Sequence, residues 1–224
     1  MNTYEIKGNI RQKVLLFIAV ISLIVGNFLF GASNYFFNFI EANFPAITVF
    51  LDKWDYLGVF SSQITVATTF AIANWLFNNY IWKIPFVNKH LDVPNLNGVW
   101  EGELESSFKE NGVNKKVDMK LEIKQTWNKM TCTSVFPKSA SCSDIVCIDA
   151  QGSQGVVLKF TYTNQSENVE LDLPQFVGYN ELKLCNANKL SGTYYTRRTP
   201  ATRGTISLVR SDTKDSTSAV VNYQ

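Results

Sequence analysis

The chain has 224 residues, with 21 Lys and Arg against 19 Asp and Glu, and a mean hydropathy close to zero. This length accommodates one sizeable domain with an appendage, or two small domains. From residue 95 to the end, fifteen cationic residues stand against fourteen acids, so bulk attraction to DNA, RNA or acidic lipid is not expected. Any anion-binding site must therefore be local.

Two uncharged apolar segments, 14–30 and 56–77, predict a pair of N-terminal transmembrane helices, since about twenty apolar helical residues cross a bilayer. We assign residues 1–13 to a cytoplasmic N-terminus, 14–82 to a two-helix transmembrane hairpin and 83–95 to a linker. A cleavable signal peptide is the alternative for the first segment, because the small residues Gly31-Ala32-Ser33 follow it.

The charges around the two segments predict their orientation. Cations flank the outer ends of the pair, whereas the connection 41–55 holds three acids and one lysine. The positive-inside rule then places both the N-terminus and the domain after the second helix in the cytoplasm.

The four cysteines and the single histidine do not form a metal-binding pattern. The cysteines lack Cys-x-x-Cys spacing, and His90 lies outside their region. We expect no metal and no cofactor, and interpret the cysteines as small apolar side chains in a reducing compartment. Because residues 96–210 contain no histidine and no nucleophile paired with a base, we also expect no enzymatic activity.

From Leu96 onward the apolar residues recur every second position, as in a strand with one buried face. Short segments of this kind, separated by turn residues, continue to Arg210. They predict an all-β, antiparallel, roughly eight-stranded small barrel with a lipocalin-like meander over residues 96–210. Residues 211–224 are expected to form a flexible tail. The strand candidates are 96–105, 117–127, 129–136, 143–149, 155–163, 168–173, 176–184, 190–198 and 203–210.

The segment 190–208 holds three of the five arginines. Its period of two puts Tyr194, Thr196 and Arg198 on the inner face with Leu190, and Arg197 on the outer face. An arginine inside a barrel needs an anionic partner, because an unpaired buried charge is costly. No acid shares that strand face, so a bound phosphate is a reasonable partner. A polar hairpin tip on the barrel rim is the competing interpretation.

Three other side chains on inward-facing positions merit assignment. Gln125 and Trp127 end a long inward-facing row and offer an amide and a stacking surface. Trp100 lies in Gly98-Val99-Trp100, which is similar to the Gly-x-Trp of lipocalin-type barrels, whose tryptophan closes one end. We expect Trp100 to be structural, with Arg203 or Arg210 packed across it.

Taken together, the layout resembles the SMODS-associating two-transmembrane β-strand-rich effectors, the membrane effectors of CBASS anti-phage operons. The resemblance rests on the two apolar segments, on LNGVWEGEL and LEIKQTW, and on LSGTYYTRRTPATRGTISL. It implies a barrel that binds a cyclic dinucleotide made by a partner nucleotidyltransferase. It also implies self-association of the helices in the bacterial inner membrane, disruption of that membrane and death of the infected cell.

The same resemblance implies a set of ligand contacts. Tyr194, Thr196 and Arg198 match the late motif, and Gln125, Trp127 and Thr202 are weaker candidates; the roles of Arg197 and Arg203 stay open. Two rival hypotheses remain. A membrane-anchored lipocalin-like barrel would bind an apolar ligand, and a membrane scaffold would use the barrel to bind protein and leave Arg198 dispensable.

Overall fold

The structure, a computed structural model, describes residues 1–6, 9–43, 58–137, 139–150, 155–166 and 176–211. The chain forms two compact units. One comprises Asn9–Ile84, and the other comprises Pro85–Gln224 together with Met1–Gly8. Met1–Gly8, part of the segment assigned to a cytoplasmic N-terminus, thus belongs to the same unit as the barrel.

The described part of the first unit is mostly helical. Helix α1 spans Ile10–Asn43, helix α2 spans Gly58–Asn79, and a 3-10 turn follows at Ile81–Lys83. The described residues of both predicted spans, 14–30 and 58–77, are therefore helical. Among the residues described, however, one helix, Ile10–Phe36, is long and apolar enough to cross a membrane, where the sequence predicts two. This helix exposes large apolar side chains such as Leu16, Phe17 and Phe28.

The second unit is a closed barrel of eight antiparallel strands. A short helix, α3 at Pro85–Leu91, lies within the predicted linker. Each barrel strand pairs with the next one in the chain, and the last pairs with the first. The predicted eight-stranded meander is confirmed. The strands are β3 Gly98–Glu110, β4 Val113–Gln125, β5 Lys129–Phe136, β6 Ser139–Asp149, β7 Val157–Ser166, β8 Phe176–Asn186, β9 Lys189–Arg197 and β10 Arg203–Arg210.

Most predicted strand limits agree with these to within a few residues. The largest difference is at the first hairpin, where β3 and β4 extend further because a two-residue turn joins them. Asn111 and Gly112 both have positive φ, which suits the right-handed twist of the flanking strands. The predicted strand 168–173 and the tail beyond Ser211 lie outside the described residues.

Alternation along the strands separates an apolar interior from a charged exterior. Large side chains from every barrel strand are fully buried, Trp100 and Phe160 among them. On the outer face, Lys120 Nζ lies 3.7 Å from a Glu101 carboxylate oxygen, and Lys116 forms the same kind of pair with Glu103. Exposed pairs of this kind contribute little to stability, so burial of the inner face is what holds the barrel.

Two further strands precede α1. Strand β1, Asn2–Thr3, pairs with β5, and strand β2, Glu5–Ile6, pairs in parallel with β6. We call residues 2–6 the N-terminal strap.

Candidate functional site

One end of the barrel, the floor, is closed by Trp100. Its side chain is fully buried, and its Nε1 donates a hydrogen bond to the Leu96 carbonyl at 3.0 Å. The Arg210 guanidinium carbon lies 4.5 Å from the Trp100 ring centroid, and Arg210 Nη2 donates to the Asn95 carbonyl at 2.8 Å. Burial lowers the pKa of Arg210. Of the two arginines expected beside Trp100, the one in place is Arg210, while Arg203 is exposed.

Gln125 lies at this floor, and its side-chain amide is bonded to main chain and to one phenol. Its Oε1 accepts from the Leu96 amide at 2.8 Å, and its Nε2 donates to the Pro94 carbonyl and to the Tyr4 hydroxyl, both at 3.2 Å. Gln125 is 2% exposed and Trp127, in the β4–β5 connection, is 4% exposed. The Gln125 amide, which the sequence analysis assigned to ligand binding, is therefore bonded within the floor of the barrel.

Gln125→Leu is expected to destabilise the barrel by about 2–4 kcal/mol, because the Leu96 amide and the Pro94 carbonyl would lose a buried partner. Chemical denaturation of the full chain in detergent, followed by circular dichroism of the strands, measures this. Thr126→Val, next in the chain, removes a hydroxyl that bonds to the backbone of the exposed Lys129; it is the control and should cost under about 1 kcal/mol. Equal losses in the two variants would contradict the role assigned to Gln125.

The opposite end, the mouth, is organised by a pair of threonines that closes the β9–β10 turn. Thr196 and Thr202 are buried, and their hydroxyl oxygens lie 2.8 Å apart. The Thr196 amide donates to the Thr202 carbonyl at 2.8 Å, and the Thr202 amide donates to the Thr196 hydroxyl at 3.2 Å. On β9, Thr196 lies six residues beyond Leu190, which pairs with Leu208 near the floor. At about 3.4 Å per residue, the two ends are on the order of 20 Å apart.

Buried polar rings and amides line the barrel next to these threonines. Tyr194 is 6% exposed and pairs in register with Asn180, itself buried on β8. Tyr162 on β7 is buried as well, and its ring lies over Gly178, the register partner of Thr196. Burial and then the neighbouring Tyr194 raise the pKa of Tyr162, whereas the nearby Arg198 acts in the opposite direction. Tyr162 and Asn180 were not singled out from the sequence.

Arg198 departs from its predicted position. It lies just past the end of β9 and is exposed, where the strand alternation predicts an inward side chain. Its guanidinium carbon is 5.4 Å from the ring centroid of Phe176 on β8. Among the residues described, no carboxylate forms an ion pair with Arg198. Arg197 and Arg203 are exposed on the outer face, the orientation expected for Arg197.

Two buried serines add polar groups on the far wall. Ser134 on β5 and Ser141 on β6 are register partners, and both hydroxyls are buried without a hydrogen-bond partner in the described part of the chain. In the ring of eight strands, β5 and β6 lie four strands from β9 and β10. Buried hydroxyls of this kind ordinarily have partners, so this wall is less fully bonded than the threonine pair.

The structure thus separates the predicted contacts into two groups. Tyr194, Thr196, Thr202 and Arg198 come together at the mouth, and Gln125 and Trp127 lie at the floor. The mouth presents hydroxyls, phenols and a guanidinium, groups that suit hydrogen bonding to phosphate and stacking on a base. No cluster of metal-ligating side chains occurs among the residues described. Period-two alternation in 155–163 was the signal by which Tyr162 could have been found.

Comparison with known proteins yields one family and two curated relatives. Residues 91–210 match the family model described as Cap15, cyclic dinucleotide receptor domain. CD-NTase-associated protein 15 of Yersinia aleksiciae is 29% identical over 135 residues, which is 60% of this chain and 64% of that protein. The protein of the same name from Escherichia albertii is 36% identical over 83 residues, 35% of this chain and 41% of that protein. Each match therefore spans less than two thirds of the relative's length.

Proposed function

The chain belongs to the Cap15 cyclic dinucleotide receptor family, and we propose that it is a membrane effector of CBASS anti-phage defence whose barrel binds a cyclic dinucleotide at its mouth. The observation that carries the proposal is Arg198, a guanidinium with no ion pair among the described residues, beside the buried polar layer at the mouth. A ligand phosphate is the partner that its charge and fork geometry suit best.

Different side chains at the mouth contact different parts of the ligand. Arg198 binds a phosphate, and Phe176, already 5.4 Å from the guanidinium, supplies an aromatic face next to it. Tyr194 and Thr196 contact the rest of the ligand from β9, and Thr202 supports Thr196 through their 2.8 Å hydroxyl contact. The predicted contacts of Gln125 and Trp127 lie at the other end of the barrel and are not part of this proposal.

Ligand binding acts on the helices. A partner nucleotidyltransferase makes the cyclic dinucleotide during infection, and bound protomers self-associate through α1 and α2 in the inner membrane. Both helices are taken to span the bilayer, with the N-terminus and the barrel in the cytoplasm, as the flanking cations favour. Confinement to the membrane raises the effective concentration of protomers, so a small gain in affinity suffices for assembly. The assembled helices disrupt the membrane, and no enzymatic step is involved.

The main alternative, a barrel that binds an apolar ligand, is disfavoured by the composition of the interior. An apolar ligand near the mouth would pack against Asn180, a buried amide, and would leave the Arg198 guanidinium without an anionic partner, which is costly for polar and charged groups. A protein-binding scaffold has no need of an arginine at the mouth, and the arginine variant treated in the Discussion separates it from the nucleotide proposal.

Titration calorimetry of the detergent-solubilised full chain against a panel of cyclic dinucleotides tests the binding step. We expect saturable binding of at least one member, and at least tenfold weaker binding by Thr196→Val, which removes the hydroxyl from the threonine pair. Thr205→Val, exposed on the outer face of β10, is the matched control and should bind normally. No binding by the wild-type chain to any member of the panel would refute the proposal.

A further inference from the structure

The pairing between strands β5 and β6 covers only part of their length, which leaves a gap in the barrel wall. Strands β5 and β6 pair directly only from Thr133 with Cys142 to Phe136 with Ser139. Next to this pairing, the Cys132 amide still donates to the Ser143 hydroxyl at 2.9 Å. A β-bulge between Ser143 and Ile145 then diverts β6, and no further register pairs join the two strands among the residues described. The edges of both strands would then present unpaired backbone groups toward the floor.

The N-terminal strap occupies this gap. Asn2 and Thr3 pair with Met130 and Lys129 of β5, and Glu5 and Ile6 pair with Cys147 and Ile148 of β6. Between the two short strands, Tyr4 is 2% exposed, and Ile6 is 5% exposed. The Asn2 side-chain amide also donates to the Asp144 carbonyl, at the bulge, at 3.1 Å.

Gln125 bonds both to the strap and to the segment that follows the helices. Gln125 Nε2 donates to the Tyr4 hydroxyl on one side and to the Pro94 carbonyl on the other. Tyr4 lies six residues before the start of α1 at Ile10, and Pro94 lies fifteen residues after the end of α2 at Asn79. One buried amide thus joins the segments that enter and leave the helical unit.

We propose that the gap between β5 and β6 is a strand-acceptor site whose ligand is the chain's own N-terminal strap, and that release of the strap couples the barrel to α1. While the strap is bound, the end of the chain that leads into α1 is held on the barrel. Release gives α1 the freedom to rotate and shift that helix association requires. The strap is a segment of extended chain bound by backbone pairing, the mode by which peptides add to exposed sheet edges.

The direct β5–β6 pairing, which we call the seam, provides a physical reason for release of the strap. The direct β5–β6 pairing is short, and it contains Ser134 and Ser141, the buried hydroxyls without partners in the described part of the chain. Unsatisfied buried groups lower the cost of opening a region. This seam lies across the barrel from the mouth threonines, and in this proposal a ligand bound at the mouth opens it. This coupling rests on the function proposed above.

A reversible covalent lock tests the proposal in the full chain. Glu5 is the register partner of Cys147, a cysteine outside any disulfide, and adjacent strands bring paired Cα atoms within disulfide range. Glu5→Cys therefore allows a disulfide that fixes the strap to β6. The exposed Cys142 and Cys185 are replaced by serine in every variant, and Glu5→Cys combined with Cys147→Ser is the control that cannot lock.

We expect the oxidised variant to bind cyclic dinucleotide within about threefold of the reduced one, and ligand-dependent leakage of dye from proteoliposomes to fall at least tenfold. Reductant should restore the leakage, and the control should not respond to oxidant. In the opposite direction, Tyr4→Ala, which weakens the strap, should cause leakage at ligand concentrations at least threefold lower than the wild-type chain needs.

Three outcomes would overturn the inference separately from the proposed function. Failure of the disulfide to form would show that the strap does not lie on β6. Full ligand-dependent leakage from the oxidised variant would show that release is not required, while binding and leakage themselves would still support an effector. Absence of ligand binding in the reduced variant and the wild-type chain alike would instead overturn the proposed function and remove the coupling with it.

Discussion

Trp100→Ala is expected to lower the free energy of unfolding of the barrel by about 3–5 kcal/mol, the largest effect of any single substitution considered for this chain. The ring is fully buried at the floor, and its loss would leave a cavity next to Leu121, its register partner. The Arg210 guanidinium would lose the aromatic face 4.5 Å away, and the Leu96 carbonyl would lose its donor. Chemical denaturation followed by strand circular dichroism measures the change.

Two further substitutions separate these contributions. Trp100→Phe keeps an aromatic face for Arg210 and removes the Nε1 donor, so we expect a loss of about 1–3 kcal/mol. Tyr195→Ala removes an aromatic ring that is 56% exposed on the outer face and should cost less than about 1 kcal/mol. A loss for Trp100→Ala no larger than that of Tyr195→Ala would show that Trp100 does not hold the floor together.

Arg198→Ala is expected to weaken cyclic dinucleotide binding by about ten- to hundredfold, since a hydrogen-bonded contact between opposite charges is worth about 1.5–3 kcal/mol. The fold should be unaffected, because Arg198 is exposed and lies outside β9. Calorimetry in low and high salt provides the measurement, and the wild-type affinity should fall with salt more steeply than that of the variant. Arg198→Lys retains the charge without the planar fork and should recover only part of the loss.

The neighbouring arginine is the natural control for this experiment. Arg197 is the last residue of β9 and is exposed on the outer face, opposite in orientation to Thr196. Arg197→Ala removes the same charge one residue away, so its affinity should stay within about threefold of the wild type. Equal weakening by the two substitutions would indicate a diffuse electrostatic contribution, and unchanged affinity in Arg198→Ala would refute a phosphate contact at this residue.

The side-chain orientations predicted for β9 are correct within the strand and wrong just beyond its end. Leu190, Tyr194 and Thr196 are buried as the two-residue period predicts, because a regular strand places alternate side chains on the same face. Arg198 is exposed because β9 ends at Arg197. Beyond the end of a strand, the two-residue period no longer predicts which way a side chain points. The limits of a strand depend on its partners, and the β9–β10 pairing ends where the Thr196–Thr202 pair closes the turn.

The amino-acid sequence by itself determined the helical segments, the closed meander and the separation of a charged exterior from an apolar interior, since these follow from local periodicity and turn residues. Only the tertiary structure decided that Gln125 lies at the floor, away from Tyr194, because both side chains face inward and the direction of each strand around the ring sets the end at which each one lies. It also decided that the N-terminal strap, residues 2–6, fills the gap in the barrel wall. Pairing between residues more than a hundred positions apart, such as Asn2 with Met130, leaves no periodic signal in so short a segment, and it arises from the gap that the β6 bulge creates.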